Sequence, residues 1–188
     1  MSVNSYLLEL ASDLVLSESE NASIKTSIST IKSRIDSYFD DVTDKKVFGS
    51  YDRGTILPRK VDASSDIDIM IVFLNPNRYK PQTFLNRLKT FAEHYYSTSE
   101  IYQSSPTIVL ELNHIKFELT PAYISNGSYY IPNGPSEWMY TDPNGFYDKL
   151  TKCNVNNCYK IKPVVRLIKH WNIQKNYRDL ASYALKKR

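Results

Sequence analysis

Between Ser65 and Asn75 runs Asp66-Ile67-Asp68-Ile69-Met70-Ile71-Val72-Phe73-Leu74, an alternation with period two. Successive side chains of a strand point to opposite faces, so this spacing predicts a β-strand. Ile67, Ile69, Ile71 and Phe73 share one face; Asp66, Asp68, Met70 and Val72 share the other. Asn75-Pro76-Asn77 closes it. The chain must therefore contain a sheet, and the sheet carries two carboxylates side by side.

The other elements follow from their own periods. Tyr6, Leu7, Leu10 and Leu14 predict a first helix, and Ser17 to Ser23 a break. Ile24, Ile28, Ile31, Ile35 and Phe39 predict a longer helix, capped by Asn21 or Ser23 and ending in the acidic run Asp40, Asp41, Asp44. Lys46 to Ser50 reads as a short strand, followed by a polar turn between Gly49 and Gly54. A third helix is expected from Pro81 to Tyr96, with Phe84, Leu88, Phe91 and Tyr95 inward. Ile108–Leu112 and Ile115–Leu119 flank Asn113-His114 as a hairpin, which Pro121 is expected to end. Ser125 to Gly145 reads as ordered loop, and Val164 to Trp171 as a helix with Pro163 near its start. A further helix is expected near Asp179. The order predicts an α+β fold with a small mixed sheet flanked by helices, not a βαβ series.

A length of 188 residues at 41% hydrophobic content suits one globular domain. No signal peptide or apolar run of membrane-spanning length is visible, so a cytoplasmic protein without membrane attachment is expected. Cys153 and Cys158 read as reduced, and His94, His114 and His170 lack zinc-finger spacing. The net charge of +4 is spread along the chain, so no nucleic-acid arm is expected, while an anionic ligand is compatible.

Three features bear on chemistry. Gly49-Ser50 offers a close backbone approach, exposed N–H groups and a hydroxyl to an anion, although Gly-Ser turns are common. Asp66 and Asp68 point the same way and repel unless a cation lies between them. Alone, such a pair is more often a solvated strand edge. Glu118 lies opposite the core-facing Phe117 and Leu119 and would join the pair if its strand lies alongside. Glu111 is a rival by the same alternation. Lys162, Arg166 and Lys169 fall on one helical face, expected to be solvated except at Lys169. Trp138 and Trp171 are expected in the core, and His170 at the surface or in packing.

Phe48-Gly49-Ser50-Tyr51-Asp52-Arg53-Gly54-Thr55, followed by Ser65-Asp66-Ile67-Asp68-Ile69, resembles the signature of the DNA polymerase beta-like nucleotidyltransferases. Within them the chain resembles the bacterial cGAS/DncV-like nucleotidyltransferases (CD-NTases), relatives of cyclic GMP–AMP synthase and oligoadenylate synthase. Phe117-Glu118-Leu119-Thr120-Pro121-Ala122 resembles their third-carboxylate strand, although that carboxylate is usually aspartate. Trp138 to Pro143, Val165 to Asn172 and Ser182-Tyr183 resemble later landmarks.

The resemblance implies a polymerase beta-like fold. Residues 1–125 would form the catalytic core with N-terminal helices, and 126–188 a partial, truncated C-terminal helical lobe. It implies two Mg²⁺ or Mn²⁺ ions on Asp66, Asp68 and Glu118, with Glu118 helping to activate the attacking hydroxyl. Gly49, Ser50, Lys169 and Ser182 would contact phosphates, and Tyr183 would stack on a base. It implies nucleoside triphosphates as substrates, a cyclic di- or trinucleotide messenger for antiphage signalling as product, and room for a regulatory protein partner. The alternatives are transfer to a protein or small molecule, an inactive nucleotide-binding module, and, with least support, RNA binding.

Overall fold

The computed structural model describes residues 2–75 and 77–175. Helix α1 spans Val3–Asp13, with Ser2 at its N-cap. Helix α2 spans Glu18–Tyr38 and begins where a break was expected. The cap is Ser17, not Asn21 or Ser23. Its Oγ accepts from the Glu20 N–H at 3.2 Å, and its own N–H donates to Glu20 Oε2 at 2.8 Å. This reciprocal box satisfies two end donors and outweighs the modest helix preference of the serines that follow.

Strand β1 (Val42–Phe48) starts earlier than expected and takes up part of the acidic run. It leads directly into a single helical turn, α3 (Gly49–Asp52). Strand β2 (Asp66–Phe73) and helix α4 (Pro81–Tyr95) match their sequence patterns. The polar strand β3 (Glu100–Ser104) follows, giving no alternating apolar signal. Then come β4 (Thr107–Glu111), β5 (Lys116–Ser125), β6 (Ser128–Asn133), β7 (Glu137–Thr141), α5 (Pro143–Asn156) and α6 (Ile161–Gln174). The helix expected near Asp179 lies outside the described residues.

The sheet runs β1-β2-β5-β4-β3, with β6 on β5 and β7 on β6. Only the β2/β5 pair is parallel among the described strands. Pro121 does not end β5. It falls between the stretch paired with β4, up to Leu119, and the stretch paired with β6, from Tyr123. No ladder bond on that edge requires its missing N–H. The region expected as loop is instead the β6/β7 extension, entered by Asn126-Gly127 with both φ angles positive (48° and 73°), as a tight hairpin turn requires.

One face of the sheet carries the core. Ile67, Ile69, Ile71 and Phe73 of β2 and Phe117 and Leu119 of β5 pack with Ile24, Ile31 and Ile35 of α2 and Phe84, Leu88 and Phe91 of α4. Arg87 braces this layer. It makes two bonds to the Asp41 carboxylate, at 2.8 and 2.6 Å, and lies over the rings of Phe39, Phe73 and Phe84. On the other face, Met70, Val72 and Ala122 form a small cluster with Phe48, Tyr129 and Ile131. That cluster covers only the Phe73 end of β2. The Asp66 end stays accessible, which is where polar residues replace apolar ones.

Candidate active site

The parallel register sets Asp66 opposite Lys116 and Asp68 opposite Glu118. All four side chains project to the face away from the main core, as the alternation of both strands demands. Glu111 occupies the same face one strand over, opposite Lys116 in the β4/β5 register. Its carboxylate takes the Tyr102 hydroxyl at 3.4 Å and lies 4.0 Å from Arg59. Glu118, not Glu111, is the third carboxylate brought to the aspartates.

On the opposite side of β2, Phe48 is the register partner of Asp68, so the chain reaches Gly49 directly beside the Asp68 carboxylate. Gly49 has φ +74°, and a Cβ there would collide with that carboxylate. Glycine is thus required twice, for its backbone angle and for the space. Gly49, expected at a phosphate, lies against Asp68 and opens α3. Ser50 lies in the same turn, and its carbonyl accepts from the Thr55 N–H at 2.9 Å.

Helix α6 returns to this loop. Lys169 Nζ donates to the Thr55 carbonyl at 3.1 Å, and Arg166 Nη1 to the Gly54 carbonyl at 2.9 Å. Arg166 therefore does not sit on a solvated face as expected; it is half-buried because the loop supplies its acceptor. Burial lowers the pKa of Lys169, with Arg53 adding to the effect and Asp62, Asp66 and Asp68 opposing it. Ser182 and Tyr183 lie outside the described residues.

The electrostatics are those of crowded carboxylates. Asp68 is pushed up to about 7, first by burial and then by Asp66 and Glu118, with Arg53 and Lys116 pulling the other way. Glu118 is also raised, by burial and then by Asp66, against Lys116. Lys116 stands between them, its Nζ 3.3 Å from Asp66 Oδ2 and 3.2 Å from Glu118 Oε1. Burial would lower the lysine, but the two carboxylates outweigh it and its pKa is raised. Among the described residues, no group of three Asp, Glu, His or Cys side chains is arranged to hold an ion by itself. The donor set nonetheless fits a hard divalent cation: three carboxylates on adjacent strands, whose mutual repulsion such an ion would relieve.

Two basic residues escaped the sequence reading. Lys116 shares the parity of Glu118 and so had to share its face. Arg53 sat within the Gly-Ser run without an assigned part. Trp138 packs as expected, 4.8 Å from Tyr123 and 5.8 Å from Phe84, with its Nε1 donating to the Tyr79 carbonyl. Trp171, expected in the core, is instead 52% exposed on α6. Cys153 and Cys158 are free and exposed. No helix among the described residues is long and apolar enough to cross a membrane.

Three comparisons bear on this arrangement. The family model described as the Second Messenger Oligonucleotide or Dinucleotide Synthetase domain (SMODS) matches residues 1–154. A protein of Bacillus cereus strain VD146, named a probable cyclic nucleotide synthase, is 30% identical over 98 residues, covering 48% of this chain and 29% of that protein. The chain thus spans under a third of the curated relative it matches. Among solved structures, the Bradyrhizobium diazoefficiens CD-NTase CdnG in complex with GTP superposes with a TM-score of 0.66 at 18% identity, over 76% of this chain and 44% of that one. The Rhodothermus marinus CdnE c-UMP-AMP synthase, solved with Apcpp and Upnpp, gives 0.67 at 16% identity, over 93% and 68%. At such identities these two establish the fold alone.

Proposed function

The chain belongs to the Second Messenger Oligonucleotide or Dinucleotide Synthetase family and has the polymerase beta-like nucleotidyltransferase fold, and on that premise we propose that it joins nucleoside triphosphates into a cyclic di- or trinucleotide. The observation that carries the reading is the meeting of Asp66, Asp68 and Glu118 on one sheet face beside Gly49.

In this reading the hydroxyl of one nucleotide attacks the α-phosphorus of another, a phosphodiester forms, and pyrophosphate leaves. Gly49 and Ser50 hold the triphosphate, and Lys169 bonds its phosphate oxygens. Ser182 and Tyr183 are assigned a phosphate contact and a base stack. Asp66, Asp68 and Glu118 would hold two divalent ions, Mg²⁺ or Mn²⁺, which when bound acidify the acceptor hydroxyl and offset charge on the leaving group. Glu118, opposite Asp68, is assigned to orient the acceptor. The fixed strands hold these groups in place before reaction, so alignment rather than covalent chemistry is what the protein supplies. Residues 1–125 would serve as catalytic core, with β6 and β7 extending its sheet, and the helical lobe would begin at α5. We assign the activity to the cytoplasm and its product to antiphage signalling, and we allow for a regulatory protein partner; these assignments rest on the family.

The test is incubation with Mg²⁺ or Mn²⁺ and labelled nucleoside triphosphates, alone and mixed, followed by phosphatase. A resistant product that disappears in Asp66→Ala/Asp68→Ala is expected. A labelled protein or small molecule in its place would favour the alternative acceptors, and metal-dependent binding without product an inactive nucleotide-binding module.

A further inference from the structure

Between Asp66 and Glu118 the chain supplies a cation of its own. The placement of Lys116 is not that of a long side chain wandering over a surface. Alternation along β5 puts Lys116 and Glu118 on the same face, and the parallel register puts Lys116 across from Asp66. The ammonium lies 3.3 Å from one carboxylate and 3.2 Å from the other, on a side chain only 16% exposed. An ammonium has three donors, enough to serve both partners at once.

The ammonium and a metal ion cannot share this place. A divalent ion held by oxygens at about 2 Å must come closer to both carboxylates than the ammonium now stands. On the functional reading given above, we propose that Lys116 is a displaceable counter-cation, which holds Asp66 and Glu118 together in the metal-free protein and competes with the divalent ion for the same oxygens. Metal loading then requires the lysine to swing out on its flexible stem, and the free protein binds divalent ions more weakly than its three carboxylates alone would.

The test is Mn²⁺ titration of the purified chain without nucleotide, with free ion followed by electron paramagnetic resonance. Lys116→Met keeps the stem and removes the charge; it should bind Mn²⁺ at least about tenfold more tightly than wild type, the effect of removing one competing charge at a partly exposed site. Lys116→Arg keeps the charge and should bind as weakly as wild type. Lys116→Gln is a second neutral variant should the methionine form not fold. Equal or weaker affinity in the neutral variants, or tight binding in the arginine variant, overturns the inference. Asp66→Ala separates the two readings. Wild-type Mn²⁺ binding that is lost in Asp66→Ala but unchanged in Lys116→Met sinks only the lysine's role, whereas no Mn²⁺ binding in any form sinks the metal site as well.

Discussion

Replacing Asp68 by Asn keeps the shape of the side chain and removes its ability to ionise. In the folded protein the carboxyl is pushed from the ordinary 3.8 up to about 7, by burial first and by Asp66 and Glu118 next. A carboxyl with a higher pKa folded than unfolded holds its proton more tightly in the folded state. The wild-type fold therefore pays no penalty at Asp68 below pH 4, loses stability as pH rises from about 4 to about 7, and levels off above. At ~1.4 kcal/mol per pH unit the loss approaches roughly 4 kcal/mol, an upper bound because solvent and neighbouring groups relax. For a chain of this size that corresponds to about 8–16 °C in melting temperature. Metal-free Asp68→Asn should accordingly melt above wild type at pH 8 and coincide with it near pH 4. Added Mg²⁺ should raise wild type and narrow the gap, while abolishing none of the variant's inactivity. Scanning calorimetry from pH 4 to 8.5, with chelator and then with Mg²⁺, reads all of this. Parallel profiles for the two proteins, or a variant less stable at pH 8, would refute the account of crowded carboxylates.

Gly49→Ala should lower stability by about 2 kcal/mol or more, since left-handed backbone alone costs ~1–2 kcal/mol and the added Cβ drives into Asp68. Thermal melting measures the loss, and the product assay should show activity falling further than stability. Arg87→Met removes a paired charge and its contacts over three rings. A loss of about 2–3 kcal/mol is expected by denaturant unfolding, discounted for partial exposure. Because the Arg87 guanidinium holds Asp41 below the usual carboxylate range, wild type should lose this contribution as pH falls through the depressed value, and the variant should not. Lys169→Met should leave the melting temperature within a few degrees of wild type, about 1 kcal/mol for one partly buried bond to the loop, yet weaken binding of a non-hydrolysable triphosphate at least about tenfold by isothermal titration.

Much of the site was legible because β2 writes its two faces in period two. Asp66 and Asp68 needed only that alternation, and Glu118 only its parity with Phe117 and Leu119. The choice between Glu118 and Glu111 was not legible, since strand order and the parallel register are tertiary facts. The start of α2 was missed because serines were read as breakers when Ser17 and Glu20 formed a box. The β6/β7 extension was missed because the Gly, Pro, Asn and Tyr content of the stretch outweighed the Asn126-Gly127 turn signal between β5 and β6. Strand β3 carries little apolar patterning because it is an edge strand, and edges are recognised by their neighbour rather than by their own residues. Lys116 was overlooked for a different reason. A lysine beside a glutamate on a strand looks like a surface pair until a second strand brings Asp66 to the same ammonium.

The parallel register of β2 and β5 also works as an error check. A slip of one residue would turn Glu118 into the core and put Phe117 or Leu119 on the open face. The misaligned chain would lose its third carboxylate and bury a charge against Ile67 and Ile69 in the same stroke. Correct chemistry and correct packing are thus encoded in the same residues, and a molecule that fails one fails the other. Phe117 and Leu119 act as alignment keys, so a variant that repacks them is also a variant that retunes the spacing of the carboxylates, even though neither side chain faces the site.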